Sequence, residues 1–432
     1  MAHKRLLIAF DKLMRAIMKK PHIPFGGKIV VTLGDWRQVC PVDSDSDSVL
    51  RRRSSGEAES FATSAFHTTI LSSPLWSNFT VLKLTENIRQ LHDSTFHRSL
   101  LRIGNGDVGP HVALSDIGVP STTDFDFAVS WLFETLSSLP YDPVACAKRA
   151  YISPFNSDVD TVNEWVSARL FSLWNVCPTV MRAVDSEVRD APDDVTLREP
   201  VPHAHQQGDE VLNAHVDQNE DRLLEVELAE VGNADLADDN DIPSDFRSGD
   251  LPVDFANAVA NSRLTADMYS PEVLKKQYFD GVPQFELPLV PGMVVMLLRN
   301  IDPSRRLMNG VRLEVVRVRR HVVIVKHIGE ADEYVIPRIK FDVTVGADKL
   351  HFTRVQVPLR LAYSTTIHKS QAATLDRVVI DLRNGVFDHG QLYVALSRVR
   401  SSSDLLILIA PGQEHVLNIV HRIILQVGGV IA

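Results

Sequence analysis

Short runs of β-branched and aliphatic residues recur along the chain, each closed by turn or polar residues, and they limit the fold more than any other feature. In chain order they cover residues 28–33, 79–84, 148–152, 357–368, 377–382 and 404–409. Such runs are typical of buried strands in a parallel sheet. Helical stretches separate the earlier runs, and this alternation predicts a doubly wound α/β core.

Two further segments have patterns of their own. Residues 1–20 place apolar residues at helical spacing with basic residues between them, which predicts an amphipathic helix. The same basic, acid-poor start is compatible with a mitochondrial presequence. Residues 286–355 contain several short strand patterns, at 313–318, 321–327 and 333–336, which are more typical of a small β-barrel than of a βαβ unit.

The charge is unevenly distributed. The whole chain carries −10, but residues 185–250 hold twenty acidic residues against four arginines, so the remainder carries +6. Residues 183–262 offer too little apolar surface to offset the entropy of ordering, and we expect this acidic insert to be disordered. The mildly basic remainder leaves a nucleic-acid partner open.

Composition excludes several other classes of protein. Hydrophobic residues make up 44% and charged residues 23%, as in ordinary soluble domains. No apolar run is long enough to cross a bilayer, so we expect no membrane partner. Cys40, Cys146 and Cys177 lie far apart in the sequence, which argues against a disulfide scaffold and against a zinc module. We expect no metal site.

One motif points to phosphate chemistry. The run at 28–33 ends in Gly34-Asp35, and Gln38 follows three residues later. A strand that ends in Gly-Asp brings polar groups to the carboxyl edge of a sheet, where α/β proteins bind phosphates. Gln38 would reach a γ-phosphate or its attacking water. Taken alone, a structural turn explains this motif equally well.

Further segments match a known family in order. They include GGKIVVTLGDWRQVCPV at 26–42, LTENIR at 84–89, LLRIGNG at 100–106 and a Ser-Pro-Phe-Asn element within 151–164, followed by blocks at 292–313, 358–371 and 390–398. Together they resemble the motifs of Pif-type (petite integration frequency) helicases of superfamily 1, including those of Helitron transposons. The resemblance covers nearly the whole chain outside the acidic insert.

The resemblance implies a domain layout. Residues 1–80 would be the remnant of a first RecA-like domain, and 81–182 with 356–432 would form a second one. Residues 183–262 would be the insert, 263–285 a connector and 286–355 a small SH3-like β-barrel. The function implied is ATP-dependent 5′–3′ DNA unwinding, with roles in DNA repair, recombination and telomere maintenance, in the nucleus or in mitochondria.

The resemblance also assigns a nucleotide site. Arg89 and Arg398 have planar guanidinium forks that suit phosphate oxygens, and the family places both at the γ-phosphate as arginine fingers. Together with Gln38 they are the candidate catalytic residues. Gly34 and Asp35 join them as nucleotide-binding candidates, and the cofactors implied for the full-length family are ATP and Mg²⁺, with the magnesium ligands absent from this chain. A surface arginine is the alternative for Arg89 and for Arg398.

Single-stranded DNA is the implied macromolecular partner. Thr366, His368, Lys369 and Ser370 close the run at 357–368 and offer hydroxyl, imidazole and ammonium groups to a nucleic-acid backbone. Solvated surface is the alternative for the His-Lys pair. Asn156 is a further DNA-binding candidate, for which a capping or turn role fits equally well. Oligomeric state is not predicted by any of these motifs.

The sequence also departs from the family pattern. It contains no GxxxxGKS or GxxxxGKT phosphate loop and no Asp-Glu pair for magnesium, and Ala372-Ala373 replaces a Gly-Gln pair. We therefore expect an N-terminally truncated helicase that hydrolyses ATP only at background rate. The alternatives are a non-enzymatic remnant that binds single strands and, with a weaker match to the motifs, a RecD-like accessory subunit.

Overall fold

The computed structural model describes residues 3–41, 65–84, 86–134, 141–186, 281–345 and 350–431, together with Lys275 and Phe279. Most of the predicted acidic insert and connector therefore lies outside the described residues. The expectation of disorder there stays a prediction.

The helices of the described residues are α1 (Lys4–Ile17), α2 (Ser94–Asn105), α3 (Leu114–Ile117), α4 (Phe125–Leu132), α5 (Pro143–Ala147), α6 (Asn156–Trp174), α7 (Gln391–Leu396) and α8 (Arg422–Val427). The first strands are β1 (His111–Ala113), β2 (Ser121–Thr122), β3 (Arg149–Ser153), β4 (Thr179–Arg182), β5 (Val184–Asp185), β6 (Glu286–Leu289), β7 (Val294–Leu297) and β8 (Arg312–Val318). The others are β9 (Val322–His327), β10 (Glu333–Pro337), β11 (Ile339–Val345), β12 (Leu350–Gln356), β13 (Leu359–Leu361), β14 (Ser364–Thr366), β15 (Arg377–Asp381), β16 (Leu405–Leu408) and β17 (His415–Leu417).

The central sheet confirms the doubly wound expectation. Its five strands run parallel in the order β14-β3-β15-β16-β2. Successive side chains alternate between its faces: Ile152 and Ile380 pack in the cluster that includes α2 and α7, whereas Tyr151 packs in the cluster that includes α4 and α6. Aspartate side chains cap the first turns of α2 and α4, at Asp93 and Asp124.

The strands between residues 286 and 361 are antiparallel, and the small SH3-like β-barrel expected at 286–355 stays a prediction. Five strands form a sheet in the order β10-β9-β8-β7-β13, and β11, β12 and β5 form a second sheet. The run predicted at 357–368 is not one strand. It divides into β13, which pairs with β7, and β14, which joins the central sheet. The Tyr363 hydroxyl lies between these strands and accepts a hydrogen bond from Val294 N at 3.1 Å.

The boundary of the acidic insert was placed too early in the sequence. Residues 183–186 belong to the folded body, because β5 pairs with β12 and Ser186 N donates to Thr353 O at 2.9 Å. Asp185 accepts two hydrogen bonds from the Arg354 guanidinium, at 2.8 and 2.7 Å. Arg354 is buried, so this ion pair needs both partners to offset the cost of desolvation.

The predicted N-terminal helix is confirmed, but two of the predicted strands, at 28–33 and 79–84, are wrong. The predicted helix is present as α1, and Asp11 on it accepts a hydrogen bond from Phe25 N at 2.6 Å. Residues 28–33 and 79–84 are not strands, however. Leu33 is 88% and Leu84 93% exposed, and the backbone of 29–33 and 80–84 has no hydrogen bond to any residue that the structure describes. β-branched residues favour an extended chain, but a strand also requires a hydrogen-bonded neighbour.

Candidate functional site

The loop that carries Gly34, Asp35 and Gln38 lies against helix α7. The Tyr393 hydroxyl, on α7, donates to Asp35 Oδ2 at 2.7 Å. The backbone contact is so close that a Cβ on Gly390 would lie 2.1 Å from the carbonyl oxygen of Arg37. Only glycine fits at that point, where φ is +71°.

A buried histidine fastens the same loop. His389 accepts a hydrogen bond from His421 N at its Nδ1, at 2.9 Å, so its proton lies on Nε2. That Nε2 group donates to the carbonyl oxygen of Trp36 at 2.9 Å. Burial lowers the pKa of His389 to about 4, and the neutral ring keeps one donor and one acceptor in place.

The predicted catalytic residues meet around one cavity. Gln38 comes from the first loop, Arg89 from the turn before α2 and Arg398 from the end of α7. The cavity has a volume of about 150 Å³. Its other lining residues are Asp35, Asn87, Gln90, His97, Leu100, Leu101, Tyr393 and Ser397. Gly34 is exposed and does not line it.

The two arginines make the cavity positive. Arg398 is 1% exposed and donates to Val394 O at 2.7 Å, whereas Arg89 donates to Ser397 O at 2.9 Å. Burial, followed by the neighbouring Arg89 guanidinium, lowers the pKa of Arg398 to about 10. Burial also lowers the pKa of Arg89. Neither arginine forms an ion pair with a carboxylate of the described residues, so their charges are left for an anion.

Sequence reasoning missed three residues beside this cavity. Gln90 donates through Nε2 to Val399 O at 2.8 Å, and Asn87 donates through Nδ2 to Gln90 Oε1 at 2.7 Å. These amides hold the Arg89 turn against the segment that follows α7. Tyr393 packs against the core cluster that includes α2 and α7, and its hydroxyl also donates to Asp35. The polar residues on either side of Arg89, in the sequence Asn-Ile-Arg-Gln, were the sequence feature that could have indicated these hydrogen bonds.

The DNA-binding candidates lie at the carboxyl edge of the central sheet. Thr366 ends β14, and His368–Ser370 forms a 3-10 turn directly after it. Lys369 is exposed and His368 is partly exposed, but the side chains of Thr366 and Ser370 are buried. Ser370 Oγ donates to Ile367 O at 2.7 Å, so this hydroxyl shapes the turn and does not lie on the surface.

Asn156 lies beside this turn. It begins α6 directly after β3, the neighbour of β14, and Ile367 N donates to Ser153 O at 3.1 Å. The ends of both strands therefore meet at one edge, as parallel strands require. Asn156, His368 and Lys369 all follow strand ends at this edge of the sheet, and none of them lines the cavity.

A loop joins the two groups of residues. Arg398 Nη1 donates to Ser370 O at 3.2 Å and to Ala373 O at 3.3 Å, so the cavity arginine contacts the residue that follows Lys369. Ala372 in this loop has φ +65°, a conformation that glycine adopts more easily. The Ala372-Ala373 pair therefore adds backbone strain at the connection between the two sites.

The described residues fit a phosphate better than a metal ion. They contain no group of three or more His, Cys, Asp or Glu side chains that could hold a metal. Asp35 is the one acidic residue among those that line the cavity, and Tyr393 and Arg37 N already donate to its carboxylate.

No described helix is both long and apolar enough to span a membrane.

Comparisons with known proteins find one family of helicases. Residues 1–112 match the family model of the PIF1-like helicase, and residues 272–318 match that of the DNA helicase Pif1, 2B domain. The chain is 35% identical to the ATP-dependent DNA helicase Pif1 of Bdellovibrio bacteriovorus over 157 residues. This alignment covers 34% of this chain and 35% of that protein. For the human ATP-dependent DNA helicase PIF1 the identity is 42% over 125 residues, or 28% of this chain and 19% of that protein.

Solved structures share the fold. A Bacteroides Pif1 helicase in complex with ADP-AlF3 and ssDNA aligns with a TM-score of 0.52 and 18% identity, over 94% of this chain and 68% of that one. A structure of two coordinating Pif1 helicases at forked dsDNA aligns with a TM-score of 0.51 over 94% and 67%. At this identity the likeness supports the RecA-like α/β fold alone. The two family matches and the relatives support a Pif1-type helicase resemblance, and the chain spans about a third or less of the length of these curated relatives.

Proposed function

We propose that this chain works as part of an ATP-dependent DNA helicase, in which it contacts the γ-phosphate and a single DNA strand. The observation that carries the proposal is the meeting of Gln38, Arg89 and Arg398, from three separate motifs, around one positive cavity. The relatives support it, since they are named ATP-dependent DNA helicases.

The roles of the cavity residues follow from their chemistry. ATP supplies a phosphoryl group that carries negative charge on its oxygens during transfer. Arg89 and Arg398 bind these oxygens through their guanidinium forks, and Gln38 orients the attacking water. Magnesium enters this proposal through the family alone, because Asp35 is held by Tyr393. Gly34 stays a nucleotide-binding candidate through the resemblance alone, since it does not line the cavity.

The DNA contacts lie on the exposed part of the strand end. Exposed Lys369 contacts the phosphates of the strand, together with the partly exposed His368 ring, whose Nε2 lies 4.0 Å from Asp388, and Asn156 contributes an amide at the same edge. The bond from Arg398 to Ser370 O links the DNA site to the nucleotide site. Movement of Arg398 towards a bound phosphate would therefore change the turn that carries Lys369.

The finer parts of the proposal rest on the resemblance. The direction of movement would be 5′ to 3′, as in the Pif-type helicases that the motifs resemble. Relatives from Xenopus laevis and human are named DNA helicases, and we extend the proposal to nuclear DNA as the substrate in the cell, with a mitochondrial location as the alternative.

A binding experiment tests the cavity. Fluorescent mant-ATP is titrated into the unaltered chain and into Arg398→Lys and Arg89→Lys, which keep the charge and lose the fork. Each variant should bind about tenfold more weakly, because a charge-assisted hydrogen bond contributes about 1.5–3 kcal/mol. Arg102→Lys, an exposed arginine on α2, is the control and should bind normally. Equal affinities for all four proteins would contradict the proposed site.

The same variants test the link to DNA. Saturating ATP should change the affinity of the unaltered chain for an oligothymidine about fivefold, and oligothymidine should change the ATP affinity by the same factor. Arg398→Lys should remove this effect, since lysine cannot reach both carbonyl oxygens. An ATP effect that persists in Arg398→Lys would assign the coupling to another residue.

A further inference from the structure

Three rings cluster beside the proposed DNA contacts. The Phe387 ring lies 5.3 Å from the Phe155 ring, centroid to centroid, and 6.2 Å from the His368 ring. The planes of Phe387 and His368 are inclined by only 25°. Phe155 directly precedes α6, so the cluster stands at the carboxyl edge of the sheet, where β3 and β14 end.

Phe387 is the exposed member of this cluster. Its side chain is 48% exposed, although the preceding residue, Val386, is buried in the core. A half-exposed phenylalanine is often incidental surface. Here the backbone is fixed, because the Gln391 Oε1 atom accepts hydrogen bonds from Phe387 N at 2.9 Å and from Asp388 N at 3.3 Å. Gln391 is itself fully buried, so the ring is presented by a rigid turn.

The geometry points to a base-stacking platform: we propose that Phe387, backed by Phe155 and His368, stacks on a base of single-stranded DNA. This proposal rests on the DNA-binding part of the proposed function and adds a residue outside the motifs assigned to it. Aromatic faces bind unpaired bases without regard to sequence. A ring with two rotatable bonds on a fixed turn loses little entropy on contact.

The surroundings favour a nucleic acid over an apolar protein segment. Exposed Lys369 follows His368 directly, the largely buried Asp388 carboxylate lies 4.0 Å from His368 Nε2, and the positive end of the α6 dipole lies beside Phe155. Cation, helix end and ring thus lie together, which suits a chain of alternating phosphates and flat bases. An apolar peptide would use the ring but not the cation.

The experiment separates stacking from phosphate binding. Fluorescence anisotropy compares labelled dodecathymidine with an abasic oligomer of equal length and charge at low salt. The variants are Phe387→Ala, Phe387→Leu and Phe387→Trp. The control is Phe127→Ala. Phe127 is 52% exposed on α4, which follows β2, the outermost strand of the sheet on the side away from β14. Thermal unfolding verifies that each variant folds, and Phe387→Leu retains the apolar bulk if the alanine variant does not fold.

We expect the Ala and Leu variants to bind dodecathymidine about tenfold more weakly and the abasic oligomer with unchanged affinity. The Trp variant should keep or increase the affinity for thymidine, and the salt dependence should not change, since no phosphate contact is lost. Equal loss on both oligomers, or no loss in either variant, would overturn the stacking proposal alone. Failure of the unaltered chain to bind either oligomer would overturn the DNA-binding function as well.

Discussion

At the scale of single residues, the site depends on buried polar groups that fix the loop of Gln38. His389 is neutral and bonded on both ring nitrogens, and it ties Trp36 to the segment around α7. This role was not predictable, because a histidine before Gly390 has no periodicity or charge partner in the sequence that would single it out. Gln38, Arg89 and Arg398 were recognisable in the sequence, because their amide and guanidinium groups suit phosphate contacts and lie in motifs that match the family in order.

His389 makes stability depend on pH. Its folded-state pKa of about 4 lies below the ordinary value of 6.5, so the unfolded chain binds the proton first as the pH falls. The stabilisation is complete above pH 6.5 and is lost towards pH 4. Between pH 7 and 5 we expect a loss of about 2 kcal/mol from this residue. Urea unfolding at both pH values measures it.

The matched variant is His389→Gln, whose amide can donate to Trp36 O and accept from His421 N without titrating. It should lose about 2 kcal/mol less than the unaltered chain between pH 7 and 5. The same pH dependence in both proteins would show that His389 does not carry this effect and that other groups, such as His421, do.

At the scale of secondary structure elements, the sequence predicted three central strands of the sheet but missed its edge strand β2, which pairs with β16. The runs at 148–152, 377–382 and 404–409 became β3, β15 and β16. The runs at 28–33 and 79–84 have the same composition and formed no strand. Composition sets the preference for an extended backbone, but hydrogen-bonded neighbours decide whether a strand forms. The division of 357–368 between two sheets has the same origin, since each half found a different partner.

The exposed run at 29–33 should contribute little to stability and much to association. Val31 is 77% exposed, and exposed aliphatic side chains on an unpaired extended segment favour contacts with other chains. Val31→Thr with Leu33→Thr should change the free energy of unfolding by less than about 0.5 kcal/mol. Light scattering after size exclusion should show less self-association.

Val30→Thr provides the control, because Val30 packs against the cluster of Leu7, Phe25 and Ile70 and should cost about 1 kcal/mol. A large loss of stability in the double variant, comparable with or greater than that of Val30→Thr, would show that the segment is packed after all.

At the scale of the whole molecule, the two proposed sites lie on different parts of one α/β body and are joined by a short loop. The order of the motifs predicted the family and the sheet, because it follows the order of the core elements. It did not predict which candidates would be exposed. Thr366 and Ser370 are buried, while Phe387, outside the predicted DNA contacts, is on the surface. Exposure depends on packing between distant segments, which motif spacing does not encode.

The most direct test of the account is the salt dependence of DNA binding at the end of β14. Anisotropy of dodecathymidine is measured between low and moderate salt for the unaltered chain, for His368→Ala with Lys369→Ala, and for Lys148→Ala. Lys148 is exposed and precedes β3, at the opposite edge of the same sheet. The account predicts that the double variant binds more weakly, with a salt slope smaller by about 0.7 for each lost phosphate contact, and that Lys148→Ala matches the unaltered chain. Unchanged affinity and slope in the double variant would contradict it.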